Sequence, residues 1–176
     1  MAQQVLIPRR MRDMQPAAND RSPMTRARLL IDGNLVRELG NGLRSRLYEV
    51  YPPGVRVKLA GSRRILEPDV AVARCPSHFE SEGDDSLLSP VLIFEVLSEV
   101  SEGRYRGELF RRYAAIPSLG EIVFVAPGEA FIERFERLRE GGWTVATFGP
   151  GESVALPEIE LDLRVDEVYR GLSPPA

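Results

Sequence analysis

Two acids stand inside runs of residues that otherwise ask to be buried. Glu95 interrupts VLIFEVLSEV (residues 91–100) and Asp69 interrupts EPDVAVAR (residues 67–74). An ionised carboxylate among apolar neighbours needs a cation, a metal or several donors, because leaving it unpaired costs on the order of several kcal/mol. If the two runs are neighbouring strands, Asp69 and Glu95 converge on one cation. Paired carboxylates with open positions suit Mg²⁺, which keeps several waters and takes only one or two protein oxygens. Such an ion can activate water and stabilise the charge of a phosphodiester under attack. A structural salt bridge from Arg104 or Arg106 accounts for the two acids nearly as well.

Chemistry at such a pair also calls for a cation. Of the 23 basic residues all but Lys58 are arginine, which favours planar, bidentate contacts to carboxylates or phosphates. Lys58, in VRVKLA, is expected on the strand preceding that of Asp69, near-diagonal to it on one face, and is the candidate catalytic cation. Arg56, Arg104 and Arg106 are alternatives, but a guanidinium stabilises charge without ever serving as a base. The bland reading of Lys58 is an exposed strand residue.

Other chemistries are narrowed by scarcity. The single Cys75 excludes an internal disulfide and a thiolate zinc site of its own, and the single His78 excludes a histidine cluster. A Cys75–His78 catalytic pair lacks an orienting third group, so a loop is the better reading. The formal net charge of −3 gives no global attraction for nucleic acid, which leaves local arginine patches. No apolar run approaches the roughly 20 residues of a membrane span, so a cytoplasmic protein without membrane contact is expected.

The elements that must position these residues fit one domain: 176 residues with 43% hydrophobic content supply a single ordinary core. Residues 1–24 read as a loose arm, with Arg9, Arg10 and Arg12 better taken as solvated than as phosphate contacts. Residues 25–172 read as the domain and 173–176 as a tail. A helix is expected over 25–47 on the stripe of Leu29, Leu30, Leu35, Val36, Leu39 and Leu43, ended by YPPG. VRVKLA and ILEPDVAVAR form a hairpin, and CPSHFESEGDDSLLSP is an acidic loop leading to a strand at 91–97, buried on both faces because it does not alternate. A helix at 102–115, a buried strand at EIVFVAP, a hairpin turned at Gly141 and Gly142, and a short helix in LDLRVDEVYRGL complete the chain. The expected class is α/β or α+β, a mixed sheet flanked by helices.

The order PDV, EVLS, RGELFRRYAAIPSLGEIVFV, with GNLVRELGNGL ahead, resembles the Uma-two family of restriction endonucleases, a bacterial branch of the PD-(D/E)XK nuclease superfamily. The match runs from about residue 28 to the C-terminus. It implies a restriction-endonuclease-like mixed sheet, an Mg²⁺- or Mn²⁺-dependent hydrolysis of phosphodiesters, DNA as the partner, and a homodimer as a conceivable assembly. The acids of PDV and EVLS are metal ligands in that pattern, and they fall on Asp69 and Glu95. Members carry an Asp and a Lys in the following helix, where this chain has Tyr105 and Leu109, and they commonly begin with an acidic hairpin that this chain lacks. The family's lysine orients or activates water and offsets developing charge, which leucine cannot do. The resemblance thus implies either an endonuclease with an incomplete site or an inactive relative that binds DNA or protein.

Overall fold

The unbroken apolar runs of the sequence become the middle of one sheet, and their two faces take different partners. A computed structural model describes residues 3–5, 24–59, 64–80, 85–97 and 104–172, with residues 3–5, 104 and 105 described by backbone alone. Its seven-stranded mixed sheet contains β1 (Gln3–Val5), β2 (Tyr48–Tyr51), β5 (Val70–Arg74), β7 (Pro90–Val96), β8 (Glu121–Val125), β9 (Ile132–Arg137) and β10 (Trp143–Phe148), in the order β1-β10-β9-β8-β7-β5-β2. β7 and β8 are parallel and the remaining pairs antiparallel. A parallel pair needs a crossover, and helix α2 (Arg104–Ala114) supplies it.

Alternation sorts the buried strands onto two layers. Val70, Val72, Leu92, Phe94, Val96, Val123 and Val125 pack with Ile31, Leu35 and Leu39 of helix α1 (Arg26–Gly42). Ala71, Ala73, Ile93, Ile122 and Phe124 pack with Leu109, Phe110 and Tyr113 of α2. Covering both faces explains why β7 reads as a continuous apolar run. Thr25 caps α1, its side chain accepting the Arg28 amide at 3.2 Å. The class expected from the sequence, a mixed sheet flanked by helices, is the class observed.

Several boundaries differ from expectation, each for a local reason. Helix α1 stops at Gly42, five residues short of the expected 47, and the Tyr48–Tyr51 stretch that follows is an edge strand paired with β5. The stripe is also rotated: Leu29 is 57% exposed, while Ile31 is fully buried. The run ILEPDVAVAR is two strands, because the chain breaks at Pro68 and Asp69. β3 (Arg56–Lys58) pairs with β4 (Ile65–Leu66) and with β6 (Ser86–Leu87) in a separate three-stranded sheet, while β5 joins the main sheet. Within the stretch read as an arm, Gln3–Val5 pairs with the open edge of β10, since an unpaired edge offers a ladder of donors and acceptors. LDLRVDEVYRGL begins as strand β12 (Leu161–Arg164), antiparallel to β11 (Ser153–Leu156), before the short helix α3 (Val165–Val168). The hairpin β9–β10 turns at Gly141 and Gly142 as expected, with φ of 95° and 92° that favour glycine. The other residues of the arm and the tail 173–176 lie outside the described residues.

One buried acid belongs to the scaffold. Glu121 opens β8 at 1% exposure, and its Oε2 accepts the Glu158 amide at 3.2 Å, while Oε1 faces Arg134 at 3.8 Å without a hydrogen bond. Burial, against the pull of that amide and of Arg134, pushes its carboxyl up to about 7. A raised folded-state pKa means that the folded state holds the proton more tightly, so this acid's contribution is full below its unfolded value and is lost as pH rises to about 7. Thermal unfolding of the wild type should therefore show a fall in Tm between about pH 4.5 and 7 that Glu121→Gln makes shallower. An unchanged slope in the variant would remove Glu121 as its source.

Candidate active site

The ladder between β5 and β7 pairs Val70 with Phe94, and the Asp69 amide extends it by donating to the Phe94 carbonyl at 3.1 Å. Asp69 itself stands at a bend just before β5, beyond the last paired residues. Its amide and its carboxylate reach the backbone of Phe94 and Val96, the two neighbours of Glu95, and its charge is felt at Glu95.

Each oxygen of Asp69 has a donor. Oδ1 accepts from Arg28 Nε at 3.1 Å and Nη2 at 2.5 Å, and Oδ2 accepts the Val96 amide at 2.7 Å. The second bond replaces the backbone partner that Val96 loses where β5 ends. Glu95 lies between Ile93 and Leu97 on the α2 side of the sheet, and its Oε2 accepts the Tyr113 hydroxyl at 2.8 Å. Burial raises the Glu95 pKa first and the neighbouring charges of Asp69 and Asp32 raise it further, against the Tyr113 hydroxyl and Arg28. The cation that answers the buried acids is thus Arg28 of α1. Arg106, one of the two arginines expected in that role, instead pairs with Glu133 of β9.

A third acid completes the group. Asp32 stands one helical turn after Arg28, is 4% exposed, and neither carboxylate oxygen has a hydrogen-bond partner. Burial and the charge of Asp69 raise its pKa to about 7, with Arg28 pulling the other way. Sequence reading missed Arg28, Asp32 and Tyr113. The first two become visible once the helix is indexed from its true stripe: Arg28, Asp32, Leu35 and Leu39 follow one another at spacings of four, three and four, so Asp32 faces inward.

Lys58 is placed elsewhere than expected. β3 is not paired with β5, and Lys58 forms an ion pair with Glu80 within the small sheet's surroundings. Leu109, at the position of the family's lysine, is 4% exposed in the α2 core. Cys75 is exposed and donates weakly to Glu49 at 3.7 Å, as a loop residue would.

The donor set bears on a metal. Asp69 and Glu95 are hard oxygen donors, and two carboxylates suffice for Mg²⁺ with its retained waters. Among the described residues no three His, Cys, Asp or Glu side chains are grouped as a metal site requires. The pair fits such an ion provided that Arg28 gives up Oδ1 of Asp69.

Residues 20–166 match the sequence profile of the Uma2 family, described as "Putative restriction endonuclease". The chain belongs to the Uma2 family. Two uncharacterized proteins of Synechocystis sp. are 27% identical over 125 residues and 28% identical over 110 residues, or 71% and 62% of this chain. The matches span 65% and 62% of those relatives' own lengths. The fold resembles the crystal structure of "a putative nuclease belonging to DUF820" from Anabaena variabilis, with a TM-score of 0.64 at 15% identity over 84% of this chain and 83% of that one. No helix among the described residues is long and apolar enough to cross a membrane.

The Tyr113 hydroxyl is the tie between α2 and the acid pair. Tyr113→Phe keeps the packed ring and strips Glu95 Oε2 of its donor, so urea denaturation should show a loss of about 1–3 kcal/mol. The native far-ultraviolet dichroism should be unchanged. Unaltered stability would mean that the hydroxyl does not hold Glu95.

Proposed function

We propose that this chain is a DNA endonuclease of the Uma2 type with low turnover, using Mg²⁺ held by Asp69 and Glu95. The observation that carries the reading is the buried Asp69 carboxylate bonded to the Val96 amide, next to Glu95 and close enough for its charge to raise the Glu95 pKa. When bound, the metal would supply a Lewis acid and an activated water beside a scissile phosphodiester. The protein's own share is positional. The Val96 amide fixes the orientation of Asp69, and Tyr113 fixes Glu95. The sheet and both helices close the site against bulk water, where charges act more strongly.

Low turnover follows from what the site lacks. Leu109 packs in one cluster with Phe110, Tyr113 and Ile122, at the position where the family pattern it resembles has lysine, and the chain's single lysine, Lys58, is engaged with Glu80. Neither a proton-transferring nor a water-orienting ammonium group is at hand. That same packing favours a second reading, a nuclease-fold protein that binds DNA or a protein without cutting, since a fold alone does not fix a function.

Supercoiled plasmid incubated with Mg²⁺ or Mn²⁺ separates the two. Slow nicking is expected from the wild type, abolished by Glu95→Ala. Tyr105→Asp combined with Leu109→Lys should raise cleavage by about tenfold or more, with circular dichroism confirming that the core tolerates the exchange. Retention of DNA in fluorescence anisotropy without nicking by any of these proteins would establish the second reading. Cleavage unaffected by Glu95→Ala would overturn the proposed site.

A further inference from the structure

Three buried carboxylates, Asp32, Asp69 and Glu95, and the Arg28 guanidinium feel one another's charge where α1 meets the ends of β5 and β7. Arg28 answers Asp69 with two donors, Glu95 has the Tyr113 hydroxyl, and Asp32 has nothing. A carboxylate buried to 4% exposure with both oxygens unpartnered is an anomaly in a native structure, because the desolvation of each oxygen goes uncompensated. Surface tuning cannot explain it. The nearest described cation, Arg28, acts on Asp32 through space while its hydrogen bonds go to Asp69.

Helix geometry supplies the missing connection. Residues four apart on a helix are neighbours, roughly 5–6 Å between Cβ atoms, so a long, jointed arginine at position 28 reaches Asp32 by rotating its own side chain. We propose that Asp32 is a positioning residue, the alternative acceptor onto which Arg28 moves when a divalent cation takes Asp69 Oδ1. Charge agrees with this exchange. Three carboxylates against one guanidinium leave the corner short of positive charge, whereas a divalent cation together with Arg28 balances all three. The exchange also satisfies every group in turn: Asp69 trades a guanidinium for the cation, and Asp32 gains the donors it lacks. Arg28 is then a built-in counter-ion that holds the acid pair together until the metal arrives, and Asp32 lowers the penalty for evicting it.

The inference rests on the metal reading of Asp69, but its central claim is testable without metal. Asp69→Asn removes the charge that holds Arg28 while keeping an acceptor for the Val96 amide. In that background Arg28 should settle on Asp32. Thermal unfolding in EDTA at pH 8 should therefore give Asp32→Asn opposite effects in two contexts. In the wild type it removes an unpartnered charge and should raise Tm by a few degrees. In the Asp69→Asn variant it removes the acceptor to which Arg28 has moved and should lower Tm. A shift of the same sign and size in both backgrounds would overturn the proposal, since coupling through Arg28 is what reverses it. Calorimetric titration with Mn²⁺ then tests the underlying reading separately. Binding by the wild type should be lost in Asp69→Ala and weakened about tenfold by Asp32→Asn. Absence of wild-type binding would sink the metal reading while leaving the reversal of sign to stand or fall by itself. Binding that Asp32→Asn leaves unchanged would overturn the role of Asp32 in eviction.

Discussion

The ladder between β5 and β7 ends at Phe94, two residues before Val96, and a carboxylate takes the place of the missing carbonyl for the Val96 amide. That substitution puts a charge where the sheet is covered on both faces, and a buried charge must be compensated or neutralised. Both helices are therefore anchored by the same corner. Arg28 holds the start of α1 against Asp69, and Tyr113 holds α2 against Glu95. Breaking either tie takes a donor away from a buried acid, a damaging kind of loss in a low-dielectric interior.

The buried strands and the acids within them were legible because period and burial are one-dimensional signals. A run such as VLIFEV cannot alternate, so the strand and the oddity of Glu95 could be read together. Asp69 was legible for the same reason, and the pairing of the two followed from the wish of both for one partner. That partner was not legible. Arg104 and Arg106 are close in sequence to Glu95, whereas Arg28 arrives from the far side of the sheet, through the docking of α1. Asp32 was hidden by a helical stripe indexed one residue too early, on Leu29 and Leu30 instead of Ile31. Lys58 was misplaced because the hairpin was read as continuous. Pro68 lets the chain leave one sheet and enter another, and strand neighbours in sequence cease to be neighbours in space.

Core and chemistry compete for the same helix face. α2 presents Leu109, Phe110 and Tyr113 to the sheet, of which only Tyr113 reaches the acid pair by a hydrogen bond. A lysine at position 109 would have to pass its stem through this packing with its ammonium emerging at Glu95. A leucine fills the volume and seals the layer. The face of α2 toward the sheet is therefore apolar at position 109, and the Tyr113 hydroxyl keeps one polar thread to Glu95.

Asn34 ties the fold's beginning to its end. Its Nδ2 donates to the carbonyls of Val168 and Arg170, both at 2.9 Å, and the α1 core includes Val165, Val168 and Tyr169. The partners lie 134 and 136 residues from Asn34 along the chain. Contacts of such long sequence separation form late. Without Val165–Tyr169, α1 loses part of its docking surface and Arg28 part of its hold over Asp69, although every residue of that acid corner is still present.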